Sequence, residues 1–131
     1  MSQNTRVLIV EDDAAIALSL VNMVQEMGHS VCGLASTAPR AVALADYHRP
    51  DVVLCDVRLG KGTNGLQAAR QMRSELKLDV VLISGLNPDD NGEARDLPWI
   101  RKPFTQENIR SAIQAVKTRR EPRQPALALA N

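Results

Sequence analysis

Aromatic side chains are almost missing from this chain, which has one Trp, one Tyr and one Phe in 131 residues. Base stacking needs several such rings on one surface, so a stacking platform for single-stranded nucleic acid is excluded. Charge of one sign is equally lacking, since sixteen Lys and Arg face fifteen Asp and Glu. That balance leaves no basic face for a duplex. The cluster Lys117, Arg119, Arg120 and Arg123 reads instead as the solvated end of a helix, where cations suit the dipole. Cysteine is scarce, and Cys32 and Cys55 each fall inside an apolar run. Buried free thiols are expected there rather than a disulfide. No apolar stretch approaches the roughly 20 residues of a membrane span, and "MSQNTR" has no signal-peptide core. The expectation is a single cytoplasmic domain with neither membrane nor nucleic acid as partner. A chain of this length buries roughly two-thirds of its unfolded surface, enough for a core without staples.

What is present is a rhythm. Val7–Val10, Val52–Leu54 and Val80–Ile83 are continuous, β-branched apolar runs, as strands covered on both faces should be. Ser30–Leu34 is a weaker run, and Trp99-Ile100 is very short. Between the first two strands Ile16, Leu20, Val24 and Met27 mark one helical face, closed by Gly28. Thr37–His48, Leu66–Leu76 and Thr105–Arg120 are the other helices, and Asn64 is placed to cap the second of these. Such alternation predicts an α/β fold, a doubly wound five-stranded parallel sheet in the flavodoxin-like order 2-1-3-4-5. The stretch "LNPDDNGEARDLP", Leu86 to Pro98, carries two prolines, a glycine and four acids without an apolar stripe. A loop or one ragged turn is expected there.

Polar groups stand at the ends of the strands that can reach one crevice. Glu11, Asp12 and Asp13 follow the first strand, Asp56 ends the third, Ser84 ends the fourth, and Lys102-Pro103 follows the fifth. Asp13 alone is better explained as a helix cap. Three clustered carboxylates repel by roughly 4 kcal/mol per pair at an effective dielectric of 20. Either one is protonated, or a hard divalent cation sits among them. Mg2+ suits such a set, and no His or Cys stands near to favour zinc. A carboxylate facing a lysine and a hydroxyl beside that ion is equipped for phosphoryl transfer. Asp56 is the nucleophile, with Lys102 and Ser84 stabilising the equatorial oxygens. The run Gly60-Lys61-Gly62-Thr63-Asn64-Gly65 spells a dinucleotide-binding signature. It starts four residues too late after the strand, however, and the next strand lacks the terminal acid that such a site requires. The glycines are read as a turn.

In order and spacing, "VLIVEDD", "DVVLCDVRL", "VVLISG" and "IRKPF" closely resemble the motifs of response regulator receiver domains in two-component signalling. The resemblance implies a receiver domain over residues 5–120; the tail at 121–131, "EPRQPALALAN" from Glu121, reads from its own residues as flexible. It implies that Asp56 takes phosphate from a sensor histidine kinase or a histidine phosphotransfer protein, and that a downstream protein partner reads the result. Asp12, Asp56 and the backbone carbonyl of Arg58 would ligate Mg2+, with Glu11 acting mainly through water. The Lys102–Pro103 peptide would be cis, and Trp99 would move as the aromatic switch coupled to Ser84. Two departures stand out. Receivers usually place proline where Gly60 stands and reach the next glycine one residue sooner than Gly65. Only 18 residues separate Ser84 from Lys102, so the fourth helix that receivers carry there is expected to be reduced or absent. The rival readings are a phosphatase of the haloacid dehalogenase type, which also uses an aspartyl phosphate, and a binding-only domain that never takes phosphate.

Overall fold

A computed structural model describes residues 4–59, 62–86 and 97–120. The elements run β1 (Arg6–Val10), α1 (Ala14–Glu26), β2 (Ser30–Ala35), α2 (Ala38–His48), β3 (Val52–Asp56), α3 (Gly65–Ser74), β4 (Val80–Ser84), β5 (Trp99–Arg101) and α4 (Gln106–Arg120). The strands form one parallel sheet in the order β2-β1-β3-β4-β5, as the alternation of apolar runs and helical faces requires. The fourth helix in chain order is α4, the last one expected from the sequence. The segment where a reduced or absent helix was expected, between β4 and β5, is residues 87–96. It lies outside the described residues, as does the tail 121–131.

Strand composition explains the layering. All five residues of β3 and all five of β4 are buried, because helices cover both faces of the sheet. One face buries Val7, Ile9, Leu54 and Ile83 against Leu20 and Val24 of α1 and Ile109 and Ile113 of α4. The other buries Leu8, Val53 and Leu82 against Ala41 and Ala45 of α2 and Ala69 and Met72 of α3. Small alanines on α2 let that helix lie close to the sheet. Fully burying one large apolar side chain contributes roughly 1.5–3 kcal/mol, so these two layers dominate the stability.

Local chemistry sets the helix starts. The Asp13 carboxylate accepts from the backbone N–H of Ala15 and Ile16, Thr37 Oγ1 from Arg40, and Asn64 Oδ1 from Gln67. Gly28, at φ 89°, takes the left-handed turn that ends α1 and starts the path into β2. Replacing the cap in Asp13→Ala is expected to lower stability by about 1 kcal/mol. The check is the urea midpoint, which should fall with an unchanged slope.

Two sequence expectations shift. Cys55 is fully buried, but Cys32 is only half-buried, because β2 is the edge strand, with no strand beyond it among the described residues. Helix α3 ends at Ser74 rather than Leu76: Lys77 adopts a left-handed φ of 61°, and the Leu78 N–H turns back to the Met72 carbonyl.

Candidate functional site

Parallel strands bring their carboxyl ends to one rim. Asp56 is the last residue of β3 and Ser84 the last of β4; Glu11 directly follows β1 and Lys102 directly follows β5. All four line one cavity of about 540 Å³, together with Asp12, Asp13, Arg58 and Leu86. The crevice lies where the winding reverses between β1 and β3, the position at which doubly wound sheets hold ligands.

The charges within it are tightly arranged. Glu11, Asp12 and Asp56 each offer a carboxylate oxygen, and these atoms all lie within 4.8 Å of one another. Lys102 Nζ donates to Asp56 Oδ2 at 2.9 Å and stands 3.6 Å from Glu11 Oε1. Glu11 Oε2 accepts from the Asp13 N–H at 3.1 Å, and Asp56 Oδ1 accepts from the Arg58 N–H at 3.0 Å. Glu11 Oε1 is buried with no hydrogen-bond partner. An orphaned buried carboxylate oxygen beside two further carboxylates is what a hard cation would satisfy. The donor set therefore fits Mg2+.

Burial raises the Glu11 pKa to about 7; the Asp13 N–H and Lys102 charge oppose the shift, while the neighbouring Asp56 adds to it. Burial also works against the Lys102 charge, but the hydrogen bond and charge of Asp56, with Glu11 behind them, outweigh it and raise its pKa. A carboxyl whose folded pKa exceeds its unfolded value stabilises the fold most when protonated. That contribution is complete below about pH 4.5 and is lost as pH rises through about 7. Hence Glu11→Gln is expected to gain stability relative to the parent on going from pH 5 to pH 8 in chelator. Paired thermal melts at the two pH values check it.

Ser84 and Trp99 are linked through the main chain. The Ser84 hydroxyl donates to the Leu86 carbonyl at 2.7 Å and accepts from the Leu86 N–H at 3.1 Å. The half-buried Trp99 donates Nε1–H to the Ser84 carbonyl at 3.3 Å. The Lys102–Pro103 bond is cis. Of the glycine run, Gly60 and Lys61 lie outside the described residues, while Gly62 sits at φ 69°. Gly65 opens α3 in direct contact with the Asp56 and Val57 backbone, its N–H bonded to the Val57 carbonyl at 2.9 Å.

Sequence reasoning missed two parts of this frame. It assigned Arg58 only a carbonyl, yet the Arg58 N–H holds the Asp56 carboxylate. The signal was available, because an Asp side chain commonly bonds the N–H two residues on. It also missed Thr63, whose Oγ1 accepts from the Ala38 N–H at 3.1 Å and ties the β3–α3 loop to the start of α2. Nothing local in the sequence marks that long-range bond.

The fold and rim define a class: doubly wound α/β domains built around a lysine-paired aspartate at a strand end. The chain matches the family model described as "Response regulator receiver domain" over residues 7–114, and it belongs to that family. Receivers are signalling domains rather than enzymes in the ordinary sense. The chain is 34% identical over 118 residues to the transcriptional regulatory protein PdtaR of Mycobacterium tuberculosis, covering 87% of this chain and 57% of PdtaR. It is 34% identical over 113 residues to the phyllosphere-induced regulator PhyR of Methylorubrum extorquens, covering 83% and 42%. Among solved structures, the response regulator PhyR of Brucella abortus superposes with a TM-score of 0.81 at 29% identity, covering 95% of this chain and 52% of that one. The chain thus spans about half the length of these relatives. Among the described residues, no helix is long and apolar enough to cross a membrane.

Proposed function

We propose that this receiver accepts a phosphoryl group on Asp56 from a sensor histidine kinase or a histidine phosphotransfer protein, in the cytoplasm. Its changed surface then alters binding to a downstream protein. One observation carries the reading: the Asp56 carboxylate, bonded at 2.9 Å to Lys102, is clustered with those of Glu11 and Asp12, and Glu11 leaves a buried oxygen without a hydrogen-bond partner. An Asp56 oxygen forms a bond to phosphorus while the donor's bond to phosphorus breaks, its electron pair leaving with the donor. Lys102, released from Asp56, would pair with the arriving oxygens, and the Ser84 hydroxyl would exchange its Leu86 partner for one of them. Asp12, Asp56 and the Arg58 carbonyl would hold Mg2+, with Glu11 acting through water; when bound, the ion would neutralise charge on the phosphoryl oxygens. Trp99, already bonded to Ser84, would follow that rearrangement as the switch.

The test is intact mass after incubation with acetyl phosphate. The parent should gain one phosphoryl group in Mg2+ and none in chelator; an unmodified parent in Mg2+ contradicts the reading. The haloacid dehalogenase alternative is not favoured. That family carries its nucleophile after the first strand, where Glu11-Asp12-Asp13 stands and Asp13 is occupied in capping α1. Absence of turnover with para-nitrophenyl phosphate is expected.

A further inference from the structure

The loop between β3 and α3 orients Asp56, and a side chain near its far end joins it to another part of the molecule. Asp56 Oδ1 accepts from the Arg58 N–H at 3.0 Å. The Arg58 main chain is in turn paired antiparallel with Asn64 across the loop. Asn64 caps α3, and the Gly65 N–H beside it donates to the Val57 carbonyl at 2.9 Å. One residue back stands the half-buried Thr63, whose Oγ1 accepts from the Ala38 N–H at 3.1 Å. Ala38 opens α2, a helix that packs on the same face of the sheet as α3 but contributes no residue to the lining of the cavity.

Each side of this bond has a use for it. The first N–H groups of a helix have no partner inside the helix. In α2, Pro39 has no N–H, Thr37 Oγ1 takes that of Arg40 at 3.4 Å, and Thr63 takes that of Ala38. On the loop side, Gly62 immediately before Thr63 is the least restricted kind of residue, so bonds rather than local preference fix the path. We propose that Thr63 is a positioning residue for Asp56. By anchoring the loop to the start of α2, it keeps Asn64 and Arg58 paired. That pairing sets both the N–H that aims the Asp56 carboxylate and the Arg58 carbonyl at which Mg2+ would bind. The inference rests on Asp56 being the phosphoacceptor and on Asp12, Asp56 and the Arg58 carbonyl holding the ion. Thr63 is not among the residues lining the cavity and acts through Arg58.

The experiment compares the parent with Thr63→Val, Thr63→Ala and Thr63→Ser. Val keeps the shape and removes the acceptor, Ala removes it without crowding the Ala38 N–H, and Ser retains it. Three quantities are read on the folded proteins: the Arg58 amide proton shift in chelator, Mg2+ affinity by calorimetry, and the rate of phosphorylation by acetyl phosphate at limiting Mg2+. In Val and Ala the Arg58 amide proton should move upfield as its bond to the carboxylate loosens. Mg2+ affinity and the limiting rate should each fall roughly threefold to tenfold, the scale of one neutral hydrogen bond. Ser should match the parent in all three. Val and Ala variants with the parent's Mg2+ affinity overturn the inference, even where their urea midpoints fall, because a merely structural bond would lower stability alone. So does an unmoved Arg58 amide proton, or a Ser variant no better than Val and Ala. A parent that binds no Mg2+ or takes no phosphate contradicts the proposed function itself, and that failure shows before any substitution is made.

Discussion

Gly65→Ala is expected to destabilise the domain by at least about 3 kcal/mol, the upper range for overpacking a well-filled site. A Cβ placed on Gly65 would collide with the Asp56 carbonyl oxygen and lie 2.8 Å from that of Val57. Both obstacles are main chain, so no side-chain rotation relieves the collision. Either the start of α3 or the end of β3 has to move. Moving the strand end displaces Asp56 itself, together with the Arg58 N–H that holds its carboxylate. Loss of stability should therefore come with slower phosphorylation even in the fraction that stays folded. Urea unfolding reads the first effect and acetyl phosphate uptake the second. A variant within about 0.5 kcal/mol of the parent, the ordinary range for a surface change, would show that the α3 start gives way easily.

Asp56→Asn should have the opposite profile, with chemistry lost and the fold kept. The amide has nearly the same shape, but it is not a nucleophile toward phosphorus, so phosphate uptake from acetyl phosphate should fall to nothing measurable. Stability should hold for an electrostatic reason. Asp56 is one of the groups that raise the Glu11 pKa, and burial remains the largest. Removing its charge lets Glu11 ionise more readily, so the Lys102 ammonium, 3.6 Å away, keeps a carboxylate partner. Mg2+, which the proposed site would hold through the carboxylates of Asp12 and Asp56, would lose one of those two ligands and should stabilise the variant less than the parent. Thermal melts with and without Mg2+ measure both effects beside the intact mass.

Residue patterns and tertiary contacts contribute differently to these expectations. The strand runs, the face Ile16-Leu20-Val24-Met27 and the caps Asp13 and Asn64 are local chemistry, and each stands where periodicity and capping place it. The rim was legible for the same reason. Once a parallel sheet is inferred, every residue after a strand is sent to the same edge, and Glu11, Asp12, Asp56, Ser84 and Lys102 do share one cavity. What sequence could not supply depends on three-dimensional proximity. The half-exposure of Cys32 follows from β2 being the sheet's edge. The unsatisfied Glu11 Oε1 follows from how deep the strand end lies. The Ser84 hydroxyl's closed pair of bonds to Leu86 follows from the backbone path after β4.

The central claim is that Asp56 itself carries the phosphoryl group. Borohydride reduction of the protein after acetyl phosphate and Mg2+ treatment, followed by peptide mapping, tests this most directly. An aspartyl phosphate is an acyl phosphate and is reduced to an alcohol, whereas free carboxylates are not. A single reduced residue is expected, at position 56, and none when chelator replaces Mg2+. Reduction at Asp12, Glu11 or Asp13, or none at all, would contradict it.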